Sequence, residues 1–234
     1  MRINKFLAGA GLASRRKVEE LIINGKIKVN GEVIINLAFD INENDKVEYN
    51  GKILSFFKEN IYIMLNKPKC YISAVSDNRD RKTVIDLIKE KDERLFPVGR
   101  LDYNTEGLLL ITNDGDFANN VMHPRNEIGK TYEVTTKEKL THFHKAQIRT
   151  GILIDGVKTS PALVTSSLKI NDVLYVTTIT IFEGKNREVR NMFKELHLKV
   201  YNLKRIKIGN LELGNLKIGS YKYLTQNDIN KIFN

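Results

Sequence analysis

The sequence predicts an α+β protein: a small N-terminal domain, then a larger one built on a mixed, largely antiparallel sheet. Three observations predict it. Helix-like and strand-like segments mix without the strict alternation of a doubly wound fold. Two-residue hairpin signals link short alternating runs. The basic residues gather at the N-terminal end, as they would on a separate small domain. The 234 residues leave room for one medium domain and a small one, and 41% apolar residues suffice for packed cores.

Residues 1–58 read as the small domain. Ile3, Phe6, Leu7 and Ala10 share one helical face, and Gly11 ends that turn. Ser14 is a natural N-cap for a second helix that buries Val18, Leu21 and Ile22. Gly25 stands where that helix stops. Two alternating runs flank Asn30-Gly31, the strongest short hairpin signal, and Asn44-Asp45-Lys46-Val47 turns into another strand. Residues 1–31 hold seven basic side chains against two acidic ones, whereas residues 32–58 hold three against five. Arg15 and Arg16 fall in the first turn of their helix, where the macrodipole disfavours cations. That placement is favourable once a phosphate docks at the same end.

Residues 60–234 read as the larger domain. Ile61–Leu65 is a short apolar strand running into Asn66-Lys67-Pro68, and Thr83–Lys89 reads as a short helix. Pro97-Val98-Gly99-Arg100-Leu101-Asp102 leads into Gly107–Thr112, a continuous apolar run expected as a buried strand. Asn113-Asp114-Gly115 is a turn before a helix through Val121. Strands are expected at Tyr132–Val134, Ala162–Ser166, Leu174–Phe182 and Val200–Ile208, and a helix at Glu188–Leu196. Thr225 caps a last short helix.

Charge and composition narrow the function. The net charge of +10 favours a polyanionic partner, with nucleic acid foremost. Residues 185–207 carry eight basic and two acidic side chains, a second candidate RNA surface. A single cysteine, Cys70, rules out an internal disulfide, and His142 with His144 lack further ligands for a metal. No apolar stretch is long enough for a transmembrane helix or a signal peptide, so a cytoplasmic location and no membrane partner are expected. Dinucleotide-binding, P-loop and nucleophile-elbow motifs are missing, so no cofactor is expected.

The first 50 or so residues, RINKFLAGAGLASRRKVEELIINGKIKVNG above all, resemble the αL-type RNA-binding domain first known from a small-subunit ribosomal protein. Further on, FPVGRLDYNTEGLLLITNDGDFANNVMHP, GKTYEV, EGKNREVRNMF and VYNLKRIKIGNLELG resemble, in order and at family spacing, four motifs of the pseudouridine synthases. The resemblance covers nearly the whole chain. It points to the branch typified by ribosomal small-subunit synthase A and large-subunit synthase B. Leu108-Leu109-Leu110 and Glu183–Glu188 resemble the large-subunit side more.

What the resemblance implies is specific. Asp102 is the catalytic carboxylate, acting as nucleophile or as base on the sugar, a choice the sequence leaves open. Arg190 is the arginine that keeps it ionised and positioned. Tyr132 packs against the target base, Leu203 covers its other side, and Arg100 supports extrusion of the base from folded RNA. Thr105 and Gly107 shape the loop. Arg2, Lys5, Arg15, Arg16, Lys26 and Lys28 are expected to contact RNA phosphates. Tyr103 and Glu106 fill positions the family leaves free, and Asn191 stands where an arginine is common. The expected partner is ribosomal RNA or a pre-ribosomal particle, bound by a monomer. Two other readings are a catalytically inactive rRNA-binding ribosome assembly factor and a glycosidase with two carboxylates; the second would need an acid such as Glu106 near Asp102.

Overall fold

The computed structural model describes residues 1–55, 59–89 and 94–234. The expected domain boundary at residue 58 lies outside the described residues. The chain divides into two units. The first gathers Met1–Ile61 and the turn Asn113–Gly115; the second includes Leu95–Thr112 and Asp116–Asn234, with the stretch that opens at Tyr62.

The first unit begins with helices α1 (Ile3–Gly9) and α2 (Arg15–Ile23), followed by strands β1 (Ile27–Val29), β2 (Glu32–Val33), β3 (Val47–Tyr49) and β4 (Lys52–Leu54). The Ser14 hydroxyl accepts from the Lys17 amide at 3.2 Å, capping α2 as its sequence position requires. Asn30 (φ +53°) and Gly31 (φ +87°) supply the two left-handed residues that a tight hairpin between β1 and β2 needs. The four strands pair antiparallel in the order β2-β1-β3-β4. The helices bury Ile3, Leu7, Val18 and Ile22 with Ile27 and Val47 from the strands.

In the second unit the elements are β5 (Tyr62–Lys67), β6 (Phe96–Val98), β7 (Glu106–Thr112), α3 (Gly115–Met122), β8 (Lys130–Thr136), α4 (His142–Thr150), β9 (Leu153–Ile154), β10 (Val157–Lys158), β11 (Leu163–Lys169), β12 (Tyr175–Ile181), α5 (Glu188–Glu195), β13 (Asn202–Ile208), β14 (Leu211–Glu212), β15 (Tyr221–Tyr223) and α6 (Gln226–Phe233). A nine-stranded sheet runs β11-β12-β8-β13-β7-β5-β15, with β14 beside β13 and β6 beside β7. Every pairing is antiparallel except β13 with β7. The sheet is therefore mixed and largely antiparallel, and the α+β class holds. One face packs Met64, Leu108, Leu110 and Ile208 against Phe117 and Val121 of α3 and Ile232 of α6.

One expected helix is corrected. Thr83–Lys89 is only a short 3-10 segment, Val84–Leu87, because Ile88 is already extended and must join Val84 in the core. The Asp86 carboxylate accepts from the Thr83 amide at 2.7 Å and closes that single turn. Two strands come very close at Gly107. A Cβ there would stand 2.2 Å from the Arg205 carbonyl oxygen, and φ is +108°, so only glycine lets β7 approach β13.

Candidate active site

The loop of residues 99–105, between β6 and β7, is held from beneath by a buried ammonium. Lys67 Nζ donates to three carbonyls: Asp102 at 3.2 Å, Thr105 at 2.9 Å and Pro68 at 3.0 Å. Burial lowers this lysine to a pKa of about 8, and the nearby Asp102 opposes that shift. Leu101 is pinned to Ser73, whose hydroxyl accepts from its amide at 3.0 Å and donates to its carbonyl at 2.9 Å. The Thr105 amide closes the turn onto the Asp102 carbonyl at 3.0 Å.

The Asp102 side chain leaves this loop 28% exposed, and one of its oxygens faces two guanidinium groups. Arg187 Nη1 stands 3.5 Å from Oδ2 and Arg190 Nε 3.6 Å. These are ion pairs rather than hydrogen bonds at that length. Both arginines come from the start of α5, with Arg187 in a left-handed conformation at its N-cap (φ +51°). Arg190 also clasps the loop: Nη2 donates to the Asn104 carbonyl at 2.9 Å and to the Thr105 hydroxyl at 3.2 Å. Burial and the like charge of Arg187 weigh against the Arg190 cation, and Asp102 favours it.

Asp102 lines a cavity of about 530 Å³ that lies wholly within the second unit. Tyr132, Leu203 and Arg205 form one wall. Tyr132 on β8 is directly opposite Arg205 on β13, and Leu203 is two residues before Arg205, so the alternation of the strand puts all three on one sheet face. Arg100 is exposed on the loop and also lines the cavity. Glu188 completes another part of the wall. Its carboxylate accepts from the Lys185 amide at 2.9 Å, and burial, with the neighbouring Glu183, pushes it up to about 7.

The structure thus brings Asp102, Arg190, Tyr132, Leu203 and Arg100 to one place. Arg187, Arg205, Lys67 and Glu188 join them without having been singled out by the sequence. Arg187 and Glu188 lie inside the EGKNREVRNMF segment, so a signal for them was present. Two of the family departures have local roles: Glu106 accepts from Asn202 Nδ2 at 2.8 Å, and Asn191 Nδ2 donates to the Asn186 carbonyl at 3.2 Å. In the first unit, Arg15, Arg16, Lys26 and Lys28 are exposed, and Lys5 is half-buried. Arg2 is also exposed, but its guanidinium is engaged with the Ala38 carbonyl and, at 3.1 Å, with Asp40. Among the described residues no group of three or more His, Cys, Asp or Glu side chains could hold a metal ion. Among them, too, no helix is long and apolar enough to cross a membrane.

Known proteins resemble this arrangement closely. The RNA pseudouridylate synthase pattern matches residues 61–195, and the S4 domain pattern matches residues 1–47. The ribosomal large subunit pseudouridine synthase B of Bacillus subtilis is 44% identical over 205 residues, 87% of this chain and 84% of that protein. An RNA pseudouridine synthase of Aquifex aeolicus is 41% identical over 100% of this chain and 94% of its own. A crystal structure of a pseudouridylate synthase superposes with a TM-score of 0.71 at 32% identity, covering 99% of both chains. With a matching pattern over more than half its length and relatives aligned nearly end to end, the chain belongs to the RNA pseudouridylate synthase family and carries an N-terminal S4 domain.

Proposed function

We propose that this protein converts one specific uridine of large-subunit ribosomal RNA to pseudouridine, with Asp102 as the catalytic carboxylate. The observation that carries the reading is the placement of that carboxylate: Oδ2 is held by Arg187 and Arg190, and the cavity beside it is walled by Tyr132 and Leu203. The relative in Bacillus subtilis, named for the large ribosomal subunit, supports the choice of RNA. In the reaction the bond from ribose C1′ to N1 breaks, the uracil turns, and C1′ bonds to C5. The C5 proton is lost and N1 gains one, so nothing is oxidised, reduced or hydrolysed overall. One positioned carboxylate, acting on the sugar as nucleophile or as base, can serve such an isomerisation. Tyr132 gives the freed base an aromatic face, Leu203 covers it, Arg190 and Arg187 hold Asp102 in place, and Arg100 supports base extrusion.

In this reading residues 1–58 form the RNA-binding domain and residues 60–234 the catalytic domain, acting as a monomer in the cytoplasm on rRNA or a pre-ribosomal particle. Arg2, Lys5, Arg15, Arg16, Lys26 and Lys28 supply phosphate contacts, which place the enzyme without reading sequence.

The test uses ribosomal RNA from a strain lacking the gene, incubated with purified protein, digested to nucleosides and mapped. The wild type should form pseudouridine at a single large-subunit position. Asp102→Asn should abolish it with RNA affinity little changed, since an amide is neither nucleophile nor base. Substantial turnover by the Asn variant would sink the assignment of Asp102. Free uracil in place of pseudouridine would mark a glycosidase, and no product at all an assembly factor.

A further inference from the structure

We propose that Arg205 binds the target uracil through one of its exocyclic carbonyl oxygens and holds it through the turn; the proposal rests on the reading of the cavity as the uridine site. Arg205 is only 5% exposed, yet it contributes to the cavity wall. Two of its donors are occupied: Nε gives to the Leu108 carbonyl at 2.7 Å and Nη1 to the Tyr132 hydroxyl at 3.4 Å. Nη2 is buried without an acceptor, and no carboxylate pairs with this guanidinium among the described residues. A buried cation with unused N–H groups and no counter-charge is costly, and an oxygen acceptor delivered by a ligand removes that cost.

Uracil is the base that suits this donor. It presents two carbonyl oxygens, O2 and O4, whereas cytosine replaces O4 with an amino donor that would meet the guanidinium donor to donor. Position agrees with chemistry. Arg205 stands opposite Tyr132 and two residues beyond Leu203 on the same sheet face, so a ring lying between those two presents its edge to it.

The reaction gives a further reason. Converting an N1 attachment to a C5 attachment requires a half-turn about the line from N3 to C6. That turn exchanges N1 with C5 and, with them, O2 with O4. A donor fixed in the wall therefore meets a carbonyl oxygen before the turn and again after it. If the electrons of the broken C1′–N1 bond leave with the base, their charge is shared over those same oxygens, where a preorganised cation is most effective. No bond of Arg205 itself changes.

The experiment uses a synthetic stem-loop carrying the mapped uridine, unsubstituted or with sulfur replacing O2 or O4 (2-thiouridine or 4-thiouridine). Single-turnover rates at saturating RNA are compared for the wild type, Arg205→Lys and Arg205→Met, with urea unfolding of each protein alongside. The wild type should slow on the order of tenfold to a hundredfold on at least one thio substrate, since sulfur accepts poorly. A folded Arg205→Lys should be slow on the normal RNA and should lose most of that sulfur penalty. Wild-type rates indifferent to sulfur at both positions would overturn the proposal, even if neither variant folds. A sulfur penalty of equal size in wild type and a folded variant would overturn it too, leaving Arg205 as a tie between β13 and β7. Failure of the underlying site reading looks different: the wild type would form no pseudouridine from the unsubstituted stem-loop, or Asp102→Asn would remain active.

Discussion

Arg190 grips Asp102 and the backbone that carries it at the same time: its Nε stands 3.6 Å from Oδ2, and its Nη2 donates to the Asn104 carbonyl at 2.9 Å. Replacing it with alanine therefore removes a counter-charge and loosens the loop in one step. Arg187 remains beside the carboxylate at 3.5 Å, so the main loss is of position. Misplacement on the scale of an ångström lowers turnover on the order of a hundredfold. Stability should fall by only about 1–3 kcal/mol, the worth of hydrogen bonds from a charged donor. Single-turnover rates and urea unfolding of Arg190→Ala measure the two separately, and a wild-type rate would remove Arg190 from the catalytic machinery.

Gly107→Ala should reverse that balance, harming the fold first. The added methyl meets the Arg205 carbonyl at 2.2 Å, in a backbone conformation that alanine avoids. Relieving the clash means parting β7 from β13. A loss of about 3 kcal/mol or more is expected in urea unfolding. An alanine variant as stable as the wild type would contradict the close approach of these strands.

Glu188 gives the stability a pH dependence of definite sign. Its folded pKa, about 7, lies above its ordinary value of 4.5 because burial and Glu183 penalise the anion. The folded state therefore binds more protons than the unfolded chain between those values. The contribution is fully present below about 4.5 and is lost as the pH rises to about 7. Glu188→Gln should match the wild type near pH 4.5 and exceed it by about 1–3 kcal/mol at pH 8. Thermal unfolding at both pH values checks this; a variant with the same pH slope as the wild type would rule it out.

The N-terminal domain should supply affinity rather than chemistry. Arg15 and Arg16 are exposed in the first turn of α2, the end of a helix that attracts phosphate. Arg15→Ala/Arg16→Ala should weaken rRNA binding and flatten the slope of log affinity against log salt by about 0.7 to 0.9 for each phosphate no longer neutralised. Titrations at several salt concentrations give the slope. At saturating RNA the rate should recover; an unchanged slope would take these arginines out of the interface.

Local signals are legible in the sequence where the chemistry is local. Ser14 and the Asn30-Gly31 pair mark α2 and the first hairpin because capping and turn geometry depend on one or two residues. Helix α4 has no apolar stripe to mark it, since it buries only Ile148, although Thr141 caps it. The Asp155-Gly156 pair is a turn signal, but the two-residue strands beside it are too short to show a period. In the site, Asp102 is visible through its motif. Arg205 reads locally as one more cation in a basic strand. Its isolation from carboxylates emerges only when β7, β8 and β13 are side by side. Lys67 is similar: its carbonyl partners on the loop lie 35 and 38 residues away.

The parallel pairing of β7 with β13 also sets when the protein becomes active as it folds. Arg190 reaches Asn104 across 86 residues of chain, and Arg205 reaches Leu108 across 97 and Tyr132 across 73. Ends that far apart meet late, because the entropy of closing long loops is spent before any contact compensates for it. The first unit, made of neighbouring helices and hairpins, faces no such delay. During refolding, RNA affinity should therefore return ahead of catalysis, and a nascent chain could hold its RNA before its catalytic site has closed.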